Sequence, residues 1–232
     1  MQEQTLNITK LVHDNIDGLS AEERAGLKKQ LADALQALAA AAEPLPSARL
    51  QLDVAEVLNA LERGKEAWDI AREAFFTCMQ QEAWADAVEA CDVLFQAKQA
   101  ESLAALGMGI WLAVTFPVDP ELTVALLIHV VDETPNDSDG AAVAAITARY
   151  VVDLRADDAQ HENLSFLTGH LLATVAQRHG NVQGQAAMDK WLERLQLRDP
   201  QVFLPRLAGV VDRLVGDRWW FDRDALRNRL PR

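Results

Sequence analysis

Nowhere along its 232 residues does this chain alternate apolar and polar side chains for long enough to make a strand. Apolar residues recur instead three to four positions apart, the spacing that lines one face of a helix. That pattern restricts the fold to packed helices. Composition agrees, because Ala and Leu dominate an apolar half while the aromatics that favour sheets make up only 6%.

The punctuation between the periodic stretches sets the boundaries. Ser20-Ala-Glu-Glu23 is a capping box that opens a helix over 20–42, striped by Leu27, Leu31, Leu35 and Leu38 and ended by Glu43-Pro-Leu-Pro46. A second helix follows Ser47 to Arg63, with Gly64 as its C-terminal turn. Helices are expected over 66–81, 83–98 and 101–116, then from Asp119-Pro120, where aspartate caps and proline takes the first helical position. The loop Pro135–Gly140 feeds a helix over 140–155. Others are expected over 163–179, 182–197 and 200–215, the last opened by Asp199-Pro200.

Segments 103–116 and 141–154 are apolar on most sides and belong, with 122–131, in the middle of the fold. The stripe of 20–42 is narrow and belongs at the edge. Short connections make neighbours antiparallel. The expectation is an all-α, antiparallel helical-hairpin array, α-solenoid-like. It would span 19–216, after an N-terminal arm over 1–18 and before a basic, aromatic C-terminal segment over 217–232 that caps it.

Small residues mark close helix crossings. Ala71, Ala74, Phe75 and Cys78, then Ala87, Cys91 and Leu94, resemble a tetratricopeptide (TPR) unit. The family's 34-residue period leads on to Ala105, Met108, Gly109 and Leu112, then Glu121, Ala125 and Ile128. Gly109 falls where that family favours glycine. Phe75 and Glu121 depart from its small residues, and the next period, near Asp139, does not match. The resemblance covers 68–132. It implies that the inner face of the first helix carries Asp69, Arg72, Phe76, Met79 and Gln80 as a mostly apolar peptide groove.

Charge is uneven. The chain carries −13, but residues 198–232 hold eight Arg against five Asp, leaving 14 basic and 30 acidic side chains, a net −16, over 1–197. So acidic a body repels nucleic acid and anionic membrane, so neither is expected as a partner. The apolar stretches 102–116 and 122–131 fall short of the ~20 residues that span a bilayer. The opening MQEQTLNITKLVHD has no basic region before an apolar core, so no secretory leader is expected and Asn7-Ile8-Thr9 is no glycosylation site. Two cysteines without paired spacing, Cys78 and Cys91, fit a reducing cytoplasm and an inert core role.

Reactive constellations are sparse. The five histidines stand at 13, 129, 161, 170 and 179; His170 and His179 fall on opposite sides of a helix turning about 100° per residue. His129 and Glu133, one turn apart, form half a metal site that needs ligands from elsewhere. His129, Asp132 and Glu133, or the cluster Asp157–Glu162 around His161, could line a pocket between central helices. That is the alternative reading, an enzyme or a ligand- or metal-binding protein. Asp157–Glu162 lies between two helices, just before Asn163, where capping and solvation explain such residues. Asp137-Ser-Asp139-Gly140 fails as a calcium loop, because Pro135 and Ile146 would stand at ligand positions. Gly107-Met-Gly109 lacks a dinucleotide fingerprint and reads as a close helix approach. No cofactor is expected.

The end of the chain, Trp219-Trp220-Phe221 with Arg223 and Arg227 behind it, is the strongest clue to contact. The rings either fold back over the end of the helical stack or reach another chain, since Trp and Arg dominate binding hot spots. Candidate partner-binding residues are therefore Trp219, Trp220, Phe221, Arg223 and Arg227, with Arg72, Phe76 and Met79 of the groove. The leading expectation is a non-catalytic cytoplasmic interaction protein, an adaptor, accessory subunit or assembly chaperone, that binds a protein partner or its own copy.

Overall fold

The computed structural model describes residues 19–229. The arm over 1–18, with Asn7-Ile8-Thr9 and His13, lies outside the described residues, as do 230–232. Among the described residues every regular element is a helix: α1 (Ala21–Ala40), α2 (Pro44–Ala60), α3 (Gly64–Gln80), α4 (Trp84–Gln96), α5 (Ser102–Thr115), α6 (Pro120–Asp132), α7 (Asp139–Arg155), α8 (Asp158–Gly180), α9 (Gln185–Arg194), α10 (Pro200–Val215) and α11 (Arg223–Arg227).

Local chemistry accounts for the ends. Ser20 and Glu23 form the capping box, and Asp119 and Asp199 accept from the second N–H of α6 and α10 ahead of their prolines. Two starts differ from expectation. Helix α2 begins at Pro44 rather than after Ser47, because both prolines fit a first turn whose N–H groups need no intrahelical partner. Helix α8 begins at Asp158 rather than 163, because Asp157 accepts from the N–H of Ala159 and Gln160 at 3.0 and 2.9 Å.

Three turns close alike. Past α2, α3 and α9 the N–H groups of Arg63, Ala83 and Leu197 donate to the carbonyls of Leu58, Cys78 and Leu192 at 2.8, 2.9 and 2.9 Å. The residue before each, Glu62, Glu82 or Gln196, sits at a φ of 61°, 53° or 54°. This is the Schellman closure with an acid or amide in place of the usual glycine. Glu62 thus makes the turn expected of Gly64. Gly64 instead opens α3, where any Cβ would collide with the Ala97 carbonyl.

Consecutive helices from α1 to α8 pack in pairs as an antiparallel array, and α9 packs on α8. The even-numbered helices α2, α4, α6 and α8 also touch in series and form one layer. In the other layer no comparably close contact joins α3 to α5 or α5 to α7. Into that more open layer the chain returns: α10 packs on both α5 and α7. Gly107 permits the approach, since a Cβ there would stand 2.6 Å from Val215 Cγ2 and 3.0 Å from Leu214 Cβ. Gly109 serves the opposite face, where a Cβ would stand 2.7 Å from Cys91 Cβ.

One core runs from Leu31 to Leu226. Helix α5 is buried almost all round and α7 nearly so, as their composition required, whereas α1 buries only Leu31. Ala71, Ala74, Phe75, Cys78, Ala87, Cys91, Leu94, Ala105, Met108 and Leu112 are all fully buried. The 34-residue spacing drifts in α6, which buries Thr123, Val124, Leu127 and Val130 while Glu121, Ala125 and Ile128 are half-exposed. Basic side chains close helix ends across the array. Arg155 donates to the carbonyls of Ala113 and Val114 (2.7 and 3.0 Å), Arg178 to that of Val131 (2.6 Å), and Arg206 to that of Leu195. Carbonyls left over at a helix C-terminus need such donors. No described helix is long and apolar enough to cross a membrane.

Candidate interaction site

The C-terminal segment is aimed by one glycine. Helix α10 stops at Gly216, whose φ of 62° and ψ of −125° suit few residues with a side chain. Arg218 then donates to the carbonyls of Val215 and Leu214 at 3.1 and 3.0 Å, and the chain turns back without helix through Trp219–Phe221. Asp222 ends this run by capping α11, accepting from the N–H groups of Asp224 and Ala225.

The three rings land on α3 and α5. Trp220 meets Phe75, Trp68 and Phe76 at centroid distances of 5.3, 5.9 and 6.0 Å. Phe221 lies 5.4 Å from Trp111 and 6.3 Å from Phe75, and Trp219 lies 6.2 Å from Trp111. Trp111 continues to Phe116, which stacks on Trp84 at 3.9 Å. Nine rings form one connected field, including five of the six tryptophans, so the scarce aromatics of the chain are concentrated at one place. Three of the six ring pairs between the segment and the body are edge-on, a geometry that aromatic quadrupoles favour. The segment therefore packs back on its own array, as one sequence expectation had it. The seat is the open layer near α3 and α5, rather than the end of the stack.

The arginines join the same field. Arg72 lies 5.1 Å over Trp220 and 5.6 Å over Phe76; Arg223 lies 4.0 Å over Trp219 and Arg227 5.4 Å over Trp111. Cation–π contacts of this kind contribute roughly 0.5–1 kcal/mol each where exposed. Ion pairs join Arg223 to Asp212 (2.7 Å) and Arg229 to Glu82 (3.3 Å), both at the surface and open to screening by salt. Of the groove residues, Arg72 and Phe76 are thus in the site, with Phe76 still 37% exposed. Met79 is half-buried and packs against the core, while Asp69 and Gln80 are exposed. One group is left over. The indole N–H of Trp111, a residue only 4% exposed, has no acceptor among the described residues. Leaving a buried donor unpaired costs about 1–3 kcal/mol.

The other sequence candidates are not brought together. His129 pairs with Asp92 of α4 at 3.0 Å and lies 4.7 Å from the Phe95 ring, while Glu133 stays exposed at the end of α6. No group of three or more His, Cys, Asp or Glu among the described residues could hold a metal ion. In the 157–162 cluster, Asp157 serves as a cap, and His161 lies 3.5 Å from Asp153 and 3.4 Å from the Ser165 hydroxyl. An open cleft of about 380 Å³ includes Asp119, Arg155, Asp157 and Gln160, but each of these four already bonds within the fold. His179 accepts from the Trp191 indole N–H at Nδ1 (3.2 Å), which leaves its Nε2 to donate to Asp139 (3.0 Å). His170 is exposed. Burial pushes the Cys78 thiol up to about 12 and the Cys91 thiol up as well, so neither is a poised nucleophile.

The even layer carries one cluster of carboxylates. Asp53, Glu56, Glu89 and Asp92 come together on α2 and α4, next to Asp86, which Arg49 holds through two bonds of 2.7 and 3.0 Å. Packing against the surface, then Glu89, Asp53 and Asp92, push Glu56 up to about 7, though its side chain still reaches solvent. Burial and the same neighbours raise Glu89.

Sequence reasoning had assigned Phe75 to packing and had passed over Trp68 and Trp111. The signal that could have found them was the placement of five of the six tryptophans on α3, α4, α5 and the C-terminal segment. Compared with known proteins, the chain matches no family model, no curated protein and no solved structure.

Proposed function

We propose that this chain is a non-catalytic protein–protein interaction protein of the cytoplasm, an adaptor, accessory subunit or assembly chaperone of a larger complex. One observation carries the reading: six rings of the body, centred on the open layer of the array, receive a non-helical stretch of polypeptide whose own three rings complete the field. Large rings and arginine gathered on one face are the makings of a binding hot spot. The resemblance of 68–132 to tetratricopeptide arrays supports the same use of the face. Of the polar groups that could have suggested chemistry, Asp157 serves as a cap, and His129 and His179 pair with Asp92 and Asp139.

The partner on this reading is a protein, and the acidic body argues against nucleic acid and anionic membrane. Affinity purification of the tagged full chain from its native source is the test. One companion recovered in stoichiometric amount is the expected result. Recovery of the chain alone with a stoichiometric metal or small molecule would replace this reading with the pocket-based alternative.

A further inference from the structure

We infer that the aromatic face of α3 and α5 is a peptide site whose built-in occupant is the segment 217–229. The partner that displaces it is an extended protein segment of like chemistry, adjacent aromatic side chains followed by arginines. The inference rests on the reading above, that surfaces of the array are its working parts.

The floor of the site does not depend on the segment. Phe75 and Trp111 are carried by helices that are fixed from behind, α3 by α2 and α4, α5 by α4, α6 and α10. Helix α10 is held in turn by its approach to Gly107. The segment gives the core only Leu226. Otherwise it is held by half-buried rings, by arginines over rings, by two surface ion pairs and, at its root, by the bonds of Arg218 to the end of α10. It leaves the body at Gly216, a point of backbone freedom.

Two features define what else fits. The body before residue 198 carries a net −16, so a basic segment is drawn to it and an acidic one repelled. Among the described residues the buried Trp111 N–H has no acceptor while the segment is in place. An incoming chain that sets a carbonyl there gains a bond that the resident segment does not make. A vacated face would expose several large rings at once, so it exchanges one cover for another rather than standing open.

The test uses a fluorescent peptide of residues 217–232 as probe and the full chain as receptor. A binding-competent face that is mostly self-occupied lowers apparent affinity by the fraction free. The full chain with Trp220→Ala and Phe221→Ala should therefore bind the probe at least about 10-fold more tightly than the wild type. Adding Phe76→Ala and Arg72→Ala to that variant should remove the gain. A folded double variant, judged by its helical signal and cooperative melting, that binds no tighter would overturn the inference.

Hydrogen exchange of the wild-type chain decides independently if the double variant fails to fold. Amides of 217–229 that open without α10 support a displaceable segment; amides that open only with the whole array overturn it. A wild-type dimer that those two substitutions convert to monomer would put a second copy in the site and overturn the assignment of a separate partner. If a companion co-purifies equally with wild type and double variant, the interaction reading stands and this inference falls.

Discussion

The edge of Trp220 meets the ring of Phe75 at a centroid distance of 5.3 Å and an interplanar angle of 72°, across 145 positions of sequence. Beside it Trp220 meets Phe76 at 6.0 Å and lies under Arg72 at 5.1 Å, which joins the two surfaces that the sequence marked separately as binding candidates, the C-terminal aromatics and the inner face of α3. They are halves of one arrangement, and each satisfies the apolar area that the other leaves exposed. Trp220→Ala would remove the ring from Trp68, Phe75 and Phe76 together and leave Arg72 over Phe76 alone. Because the ring is half-buried, a loss of about 2 kcal/mol is expected, below the range for a fully buried tryptophan. Urea unfolding followed by circular dichroism measures it, with the native helical signal unchanged.

Glycines separate two kinds of helix surface. Gly107→Ala places a Cβ 2.6 Å from Val215 Cγ2, against the return of α10 into the array. The clash outweighs the helix propensity gained, and a net loss of about 1–2 kcal/mol is expected. Gly26→Ala on exposed α1 meets nothing within 4 Å and should gain about 0.5–1 kcal/mol. Thermal melts of both variants check the opposite signs.

The same glycine shows how far the sequence could be read. Helices, caps and most boundaries follow from local rules: the Ser20–Glu23 box, Asp119-Pro120 and Asp199-Pro200 stand where the periodicity begins. The boundaries expected at Ser47 and Gly64 differ from the fold because proline and glycine each do two jobs, and for Gly64 only the neighbouring carbonyl of Ala97 decides between them. The return of α10 was not legible. Gly107 announces a close approach but does not name its partner, which lies more than a hundred residues on. For the site, the rings of 219–221 were legible as anchors. Their seat was not, since Trp68, Phe75 and Trp111 are brought together only by the packing of α3 and α5.

Glu56 gives the acidic layer a pH signature. Its carboxyl is raised in the fold from 4.5 to about 7, first by partial desolvation of a side chain that still reaches solvent and then by Glu89, Asp53 and Asp92. Between those values the folded chain binds more protons than the unfolded one, so this group's contribution to stability falls as pH rises through the window. Glu56→Gln removes that slope. Its melting temperature should exceed that of the wild type at about pH 8 and approach it at about pH 4. Equal melting at the higher pH would show that the carboxylates do not crowd one another.

Both thiols should be silent in the native state. With Cys78 pushed up to about 12 and Cys91 raised and fully enclosed, neither should react with Ellman's reagent at about pH 8 over a time in which the denatured chain reacts completely. Fast modification of one thiol in the folded chain would mean that α3 or α4 opens locally.

The central claim is that the C-terminal aromatics are seated on the open layer of the array. The most direct measurement is a double-mutant cycle between Trp68 and Trp220, whose rings stand edge to face at 5.9 Å. Unfolding free energies of the full chain, of Trp68→Ala, of Trp220→Ala and of the pair yield the coupling. A coupling of about 0.5–1.5 kcal/mol is the predicted result. Strict additivity would contradict the account, because it would leave the segment without a seat on α3.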